Sequence, residues 1–82
     1  MQLAEIFQKV TEENARSHAK YGKWSEIHPC DQSKAIRGEY AEWYQAFAQG
    51  DENGEHGEIT EAVHTINVLC RRIMFLTGEE NA

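Results

Sequence analysis

Two glutamate pairs, Glu39 with Glu42 and Glu58 with Glu61, fall at i, i+3 spacing in two consecutive helix-like patterns between Ile36 and Arg72. On a helix, positions three apart lie about 60° from one another around the axis, so each pair projects its carboxylates to one side. If the two helices turn these sides toward each other, four negative charges meet. Such charges raise one another's pKa and resist joint ionisation unless a cation sits between them. Carboxylate oxygens select hard divalent cations, Mg²⁺ or Mn²⁺. A plainer reading stands beside this one. E-x-x-E is a common pattern on solvated helix edges, and Glu58, in a first turn, is favoured by the helix dipole alone.

A chain of 82 residues makes one domain, 1–82, of a size at which a monomer buries only ~60% of its unfolded surface. A homodimer or higher homo-oligomer is therefore expected. The formal net charge of −6 argues against a partner whose phosphates must be neutralised, so nucleic acid is not expected. No apolar run approaches the ~20 residues of a membrane span, and the N-terminus lacks the plan of a signal peptide. These features point to a cytoplasmic protein with no membrane partner. The two cysteines, Cys30 and Cys70, make no disulfide framework and read as reduced thiols.

Periodicity predicts an all-α fold of three main helices, at about 2–20, 33–49 and 58–77. In the first, Leu3, Ile6, Phe7 and Val10 form an apolar stripe that turns polar at Asn14, Ser17 and His18, either lining something wetter than a core or fraying into solvent. Gly22 suits a helix end, and Pro29 disfavours helix at His28. Asp31 and Ser33 are good caps for the second helix. Its apolar face is Ile36, Tyr40, Trp43, Tyr44 and Phe47, with Ala35, Glu39, Glu42 and Ala46 on a flank. The third helix carries Ile59, Ala62, Val63, Ile66, Cys70 and Ile73 on one face and Val68 and Phe75 on the opposite one, a two-sided pattern expected of a helix at a subunit interface.

The connection GDENGEHG, Gly50 to Gly57, is not a calcium loop. With Asp51 as first ligand, His56 falls where the turn glycine belongs and Ala62 where the bidentate acid belongs. A zinc site built from His28, Cys30, His56 and His64 matches no compact zinc spacing.

Three stretches, HAKYGKWSEIHP, IRGEYAEWYQAF and HGEITEAVHTINVLCRR, resemble the phage-borne branch of the MazG-like all-α NTP pyrophosphohydrolases. The resemblance runs from about Arg16 to Ile73. That family carries E-E-x-x-E on one helix and E-x-x-D on the next, and the four acids hold Mg²⁺ for cleavage of a nucleoside triphosphate to monophosphate and pyrophosphate. Gly38-Glu39-Tyr40-Ala41-Glu42 matches the first motif with Gly38 in place of its leading acid, and Glu58-Ile59-Thr60-Glu61 matches the second with Glu61 in place of Asp. A rival register, Glu61-Ala62-Val63-His64, puts His64 at the Asp position. The first register keeps four oxygen ligands, since imidazole is a poor ligand for Mg²⁺.

The resemblance implies an oligomeric helical bundle and a Mg²⁺- or Mn²⁺-dependent hydrolase with Glu39, Glu42, Glu58 and Glu61 as metal ligands and catalytic residues. One glutamate not fully engaged by metal would serve as general base. Such a site must also take a base, a sugar and phosphates. Candidates are Trp24 for stacking, Asn67 for hydrogen bonds from the face next to His64, and also His28, with Lys20, Arg37, Arg71 and Arg72 for phosphate oxygens. The alternative is a non-catalytic phage-type helical protein that binds a nucleotide or a host protein.

Overall fold

The structure is a computed structural model that describes residues 1–79. The elements of the described residues are α1 Leu3–Tyr21, a 3₁₀ turn Trp24–Glu26, α2 Pro29–Gln49 and α3 Glu58–Thr77. No strand occurs among the described residues, and none of their helices is long and apolar enough to cross a membrane. α3 is central, packed against α2 along one line and against α1 along another.

The helix boundaries follow local chemistry. α1 opens with a capping box in which the Gln2 N–H donates to Glu5 Oε1 at 3.3 Å. It stops at Gly22, whose φ of 80° favours glycine. The Gly22 carbonyl then accepts a hydrogen bond from the Arg71 guanidinium, tying the end of α1 to the second half of α3. α2 begins at Pro29, four residues ahead of the Ser33 start expected from its caps. Proline is tolerated at the first helical position because that N–H has no intrahelical partner. His28 supplies the cap, its Nδ1 accepting from the Cys30 N–H at 3.1 Å.

The turn between α2 and α3 is held by Asp51. Its carboxylate accepts from the Gly54 N–H at 2.9 Å and its carbonyl from the Glu58 N–H at 2.7 Å. Gly57 is buried here, and a Cβ on it would stand 2.7 Å from the Gly54 nitrogen. Absence of a side chain lets the loop close, which makes α2 and α3 an antiparallel hairpin and sets Glu39 opposite the first turns of α3.

α2 does not turn its aromatic face to the core. Its inward line is Gln32, Glu39 and Ala46, while Tyr40, Tyr44 and Phe47 are exposed by more than half. The polar line is tolerable because Gln32 is fully satisfied. Its Nε2 donates to the carbonyls of Trp24 and Ile27 at 3.0 Å, and its Oε1 accepts from Arg72 at 2.8 Å. The small Ala46 lets α3 come close.

Val68 and Phe75, expected at a subunit interface, are both half-buried in the single chain. Val68 lines a cavity with Trp24, Ile27 and Ala35, and the Arg72 guanidinium lies 5.3 Å from the Phe75 ring centre. On the other stripe Val63 is buried, but Ile59 and Ile73 face outward. The buried apolar side chains among the described residues are Val10, Trp24, Ala46 and Val63, a small core for three helices of this length.

Candidate metal centre

Each helix sends polar side chains into the space where α1, α2 and α3 meet. From α1 come Glu13, Arg16 and Ser17, which continue the stripe that Val10 begins. Ser17 is buried and its hydroxyl accepts from Asn67 Nδ2 at 3.3 Å, joining α1 to α3. Its own proton goes to Glu13 Oε1 at 3.3 Å. Arg16 Nε donates to Glu13 Oε2 at 2.9 Å. This hydrogen bond, helped by the charge of nearby His64, holds the Glu13 carboxyl below its ordinary pKa against the opposing effect of burial. The polar half of α1 is thus a wall of the site. Asn14 is half-buried, while His18 is exposed.

α2 contributes Glu39 and Glu42, and α3 contributes Glu61 and His64. Ligand atoms of Glu39, Glu61 and His64 all lie within 4.8 Å of one another. His64 Nδ1 is 3.4 Å from Glu61 Oε2 and 3.8 Å from Glu39 Oε2, and His64 Nε2 is 3.6 Å from Glu13 Oε1. His56, from the connecting loop, brings its Nδ1 to 3.4 Å from the other oxygen of Glu61. Glu61 is 3% exposed. Glu39 Oε2 and Glu61 Oε2 are both buried and make no hydrogen bond. Burial, followed by the charge of Glu42, raises the Glu39 pKa to about 7.

Buried carboxylate oxygens are costly to leave unpaired, and two of them converging with an imidazole make a donor set suited to a divalent cation. At ligand distances of about 2.0–2.2 Å the three groups need only a small inward movement. Two oxygens and one imidazole nitrogen suit Mn²⁺, Fe²⁺ or Zn²⁺ better than Mg²⁺.

The cluster stands between two cavities. An open one of about 550 Å³ is lined by Arg16, Glu39, Glu42, His56, Glu61 and His64. The other, about 290 Å³, shares Arg16, Tyr21, Glu39 and His64 with the first and continues inward to Trp24, Asn67 and Arg71. Trp24 is 3% exposed and the Arg71 guanidinium lies 5.6 Å from its ring centre. Asn67 is also buried, and its Oδ1 has no hydrogen-bond partner.

Of the four glutamates singled out in the sequence, Glu39 and Glu61 meet, and Glu42 stands on the rim of the open cavity beside Glu39. Glu58 lines neither cavity and lies outside the cluster, at the first residue of α3. The rotation of α3 that turns Glu61 and His64 toward α1 and α2 leaves Glu58, about 120° from His64 around the axis, turned away from them. The Glu61-x-x-His64 register, set aside on ligand chemistry, is the pair that the fold brings to Glu39.

Among the proposed substrate contacts, Trp24, Asn67 and Arg71 share the inner cavity. His28, Lys20 and Arg37 line neither cavity. His28 caps α2, Lys20 lies over the Tyr21 ring at 5.1 Å, and Arg37 is exposed. Arg72 is taken up by Gln32 and Phe75. Glu13 and Arg16 were not anticipated. Their only sequence signal is that Val10, Glu13 and Ser17 follow one helical line. Comparison with protein-family models, with curated proteins and with solved structures finds no match.

Proposed function

We propose that this chain is a divalent-metal-dependent nucleotide pyrophosphohydrolase of the MazG-like all-α kind, with Glu39, Glu61 and His64 as metal ligands. The observation that carries the reading is the convergence of two buried, unpaired carboxylate oxygens and an imidazole between an open polar cavity and an inner one that holds Trp24 and Asn67. Ligand pockets begin at about 300 Å³, so the inner cavity suits a base and sugar rather than a larger group.

Each residue then has a role. Trp24, stiffened by Arg71, offers a ring to a base, and the free Oδ1 of Asn67 accepts an N–H from its edge. Arg16, at the boundary of both cavities, meets phosphate oxygens. Glu42 is exposed and outside the ligand cluster, placed to take the proton of a water attacking the α-phosphorus. The bond broken is that from the α-phosphorus to the bridging oxygen, and pyrophosphate leaves. The metal, when bound, supplies charge neutralisation on the phosphates.

The test is a screen of ribo- and deoxyribonucleoside triphosphates with Mn²⁺, Mg²⁺ and Zn²⁺, following monophosphate and pyrophosphate together. Turnover greatest with Mn²⁺, lost in Glu61→Gln and kept in Glu58→Gln, is the expected result. If no nucleotide is cleaved while metal still raises the melting temperature, the hydrolase reading fails and a metal-binding helical protein is left.

A further inference from the structure

We infer that Glu13, on α1, is a positioning residue of the candidate metal centre: it accepts the Nε2 proton of His64 and so leaves the Nδ1 lone pair directed at Glu39 and Glu61. This role rests on the metal reading above. A neutral imidazole carries one N–H and one lone pair, and the partner of one nitrogen decides whether the other is open to a metal. The two nitrogens of His64 face different neighbours. Nδ1 is 3.4 Å from Glu61 Oε2 and 3.8 Å from Glu39 Oε2, the two buried oxygens without hydrogen bonds, whereas Nε2 is 3.6 Å from Glu13 Oε1. A proton on Nδ1 would stand where the cation belongs. Glu13 gives that proton a place on the other side of the ring.

Glu13 is held as an anchor and not as a ligand. Arg16 donates to both of its oxygens, from Nε to Oε2 at 2.9 Å and from Nη2 to Oε1, and the Ser17 hydroxyl donates to Oε1 at 3.3 Å. A guanidinium in contact with the carboxylate opposes the approach of a second cation to it. Glu13 also lies outside the set whose ligand atoms come within 4.8 Å of one another. The side chains of Glu13 and His64 are 12% and 24% exposed, so water competes little for their contact. Their 3.6 Å separation exceeds an N–H···O bond by about half an ångström. A change in the Glu13 side-chain torsions closes that gap without moving α1.

The fold sets this pairing. Val10, Glu13 and Ser17 follow one line of α1, and Ser17 Oγ accepts from Asn67 Nδ2 of α3 at 3.3 Å. About one turn of each helix separates that bond from the Glu13–His64 contact. The register that joins Ser17 to Asn67 therefore brings Glu13 level with His64. A carboxylate that accepts the outer N–H of a ligating histidine fixes the orientation of the ring and raises its basicity. α1 thus takes part in the centre without supplying a ligand. The effect strengthens the one nitrogen donor of the set, the donor that favours Zn²⁺ or Mn²⁺ over Mg²⁺.

The test uses the full chain with ¹⁵N-labelled histidines. In the zinc-loaded wild type, long-range ¹H–¹⁵N spectra should show His64 with its proton on Nε2 and Nδ1 bound to metal, and His64→Gln identifies the resonances. Competition with a chelator should show the Zn²⁺ and Mn²⁺ dissociation constants raised about 10–100-fold in Glu13→Ala. Glu12→Gln removes the charge of the adjacent acid, which bonds Gln8 instead, and should leave both constants unchanged. If Glu13→Ala fails to fold, Glu13→Gln takes its place. Its amide oxygen accepts more weakly than a carboxylate, so the rise should be smaller but still exceed that of Glu12→Gln.

Coordination of zinc through Nε2, with the proton on Nδ1, overturns the inference. So does metal affinity that is unchanged at position 13, or that falls equally in the Glu13 and Glu12 variants, an effect of net charge alone. A wild type that binds neither metal is a different result. It removes the metal reading itself, and the role of Glu13 with it.

Discussion

Glu39 on α2 and Glu61 on α3 each turn one buried carboxylate oxygen, free of hydrogen bonds, toward the same His64. Glu42 adds a further negative charge beside Glu39. Such an arrangement is held together by the packing of α2 on α3, not by the charges themselves. Its electrostatic cost is relieved by a proton or by a cation, and most of the behaviour expected of the protein follows from that competition.

Stability in the absence of metal should fall as pH rises from about 4.5 to about 7. The folded pKa of Glu39, raised to about 7 by burial first and Glu42 next, lies above its ordinary value of 4.5. The native state therefore holds a proton that the unfolded chain has released, and the advantage is complete only below the unfolded pKa. Glu13 works in the other direction. Its lowered pKa contributes stability that is present above 4.5 and lost as pH falls through the folded value. Urea denaturation at pH 5 and pH 7.5 in EDTA should show the decline in wild type and a flatter profile in Glu39→Gln. An identical slope in both proteins would mean that Glu39 does not hold the proton.

Glu61→Gln removes a charge from the most buried member of the cluster while keeping its shape. In EDTA its melting temperature should equal or exceed that of the wild type, since like-charge repulsion is relieved. Wild type in Mn²⁺ at a hundred times the dissociation constant gains ~2.7 kcal/mol, and the variant should lose that gain. Glu58→Gln, outside the cluster, should keep it. Thermal melts at fixed ionic strength, with Mn²⁺ exchanged for Na⁺, make the comparison. A wild type indifferent to the exchange would remove the metal site.

The helical architecture was legible because the glycines, the caps and the 3.6-residue period of the apolar residues all speak to local structure. Which face each helix turns inward was less so. Glu39 and Ala46 sit on a flank of α2 that hydropathy ranks below Tyr40, Tyr44 and Phe47, yet they pack inward because Gln32 and Ala46 fit against α3. Hydropathy ranks burial only where the partner surface is known, and the aromatic strip lacks one within the chain. His64 was discounted for a similar reason. Ligand chemistry weighed one residue against Mg²⁺, whereas the rotation of α3, fixed by Ser17 with Asn67 and by Gly22 with Arg71, decides which acids it can reach. Glu13 comes from α1, distant in sequence from both motifs, and no spacing rule links it to them.

Gln32→Ala should be among the most damaging substitutions outside the cluster. Gln32 is 0% exposed, donates to two carbonyls of the Trp24–Ile27 turn and accepts from Arg72. Removing the amide leaves these groups to seek other partners in a buried position, at about 1–3 kcal/mol for each one that fails. Because the same turn carries Trp24 into the inner cavity, the nucleotide affinity that the proposed function requires should weaken along with the melting temperature. Gln32→Leu, of similar volume, should not rescue either property. If the leucine variant melts like wild type, volume rather than hydrogen bonding holds the turn.

His64→Asp should change which metal the protein answers to. The imidazole sits with Nδ1 toward Glu39 and Glu61 and Nε2 toward Glu13, so it is the nitrogen in an otherwise carboxylate surrounding. Replacing it by Asp converts the donor set to oxygen and places an Asp at E-x-x-D spacing from Glu61. Mg²⁺, which accepts oxygen ligands and disfavours imidazole, should then stabilise the variant more than it does the wild type. Zn²⁺ should stabilise it less. In EDTA the variant should melt below wild type, since a further carboxylate joins Glu13, Glu39 and Glu61 where a neutral or positive ring stood. Melting curves in Mg²⁺, Mn²⁺ and Zn²⁺ at constant ionic strength separate this outcome from its rival. If His64 only packs between the acids, Asp lowers stability equally in every metal and the order of metal preference stays as in wild type.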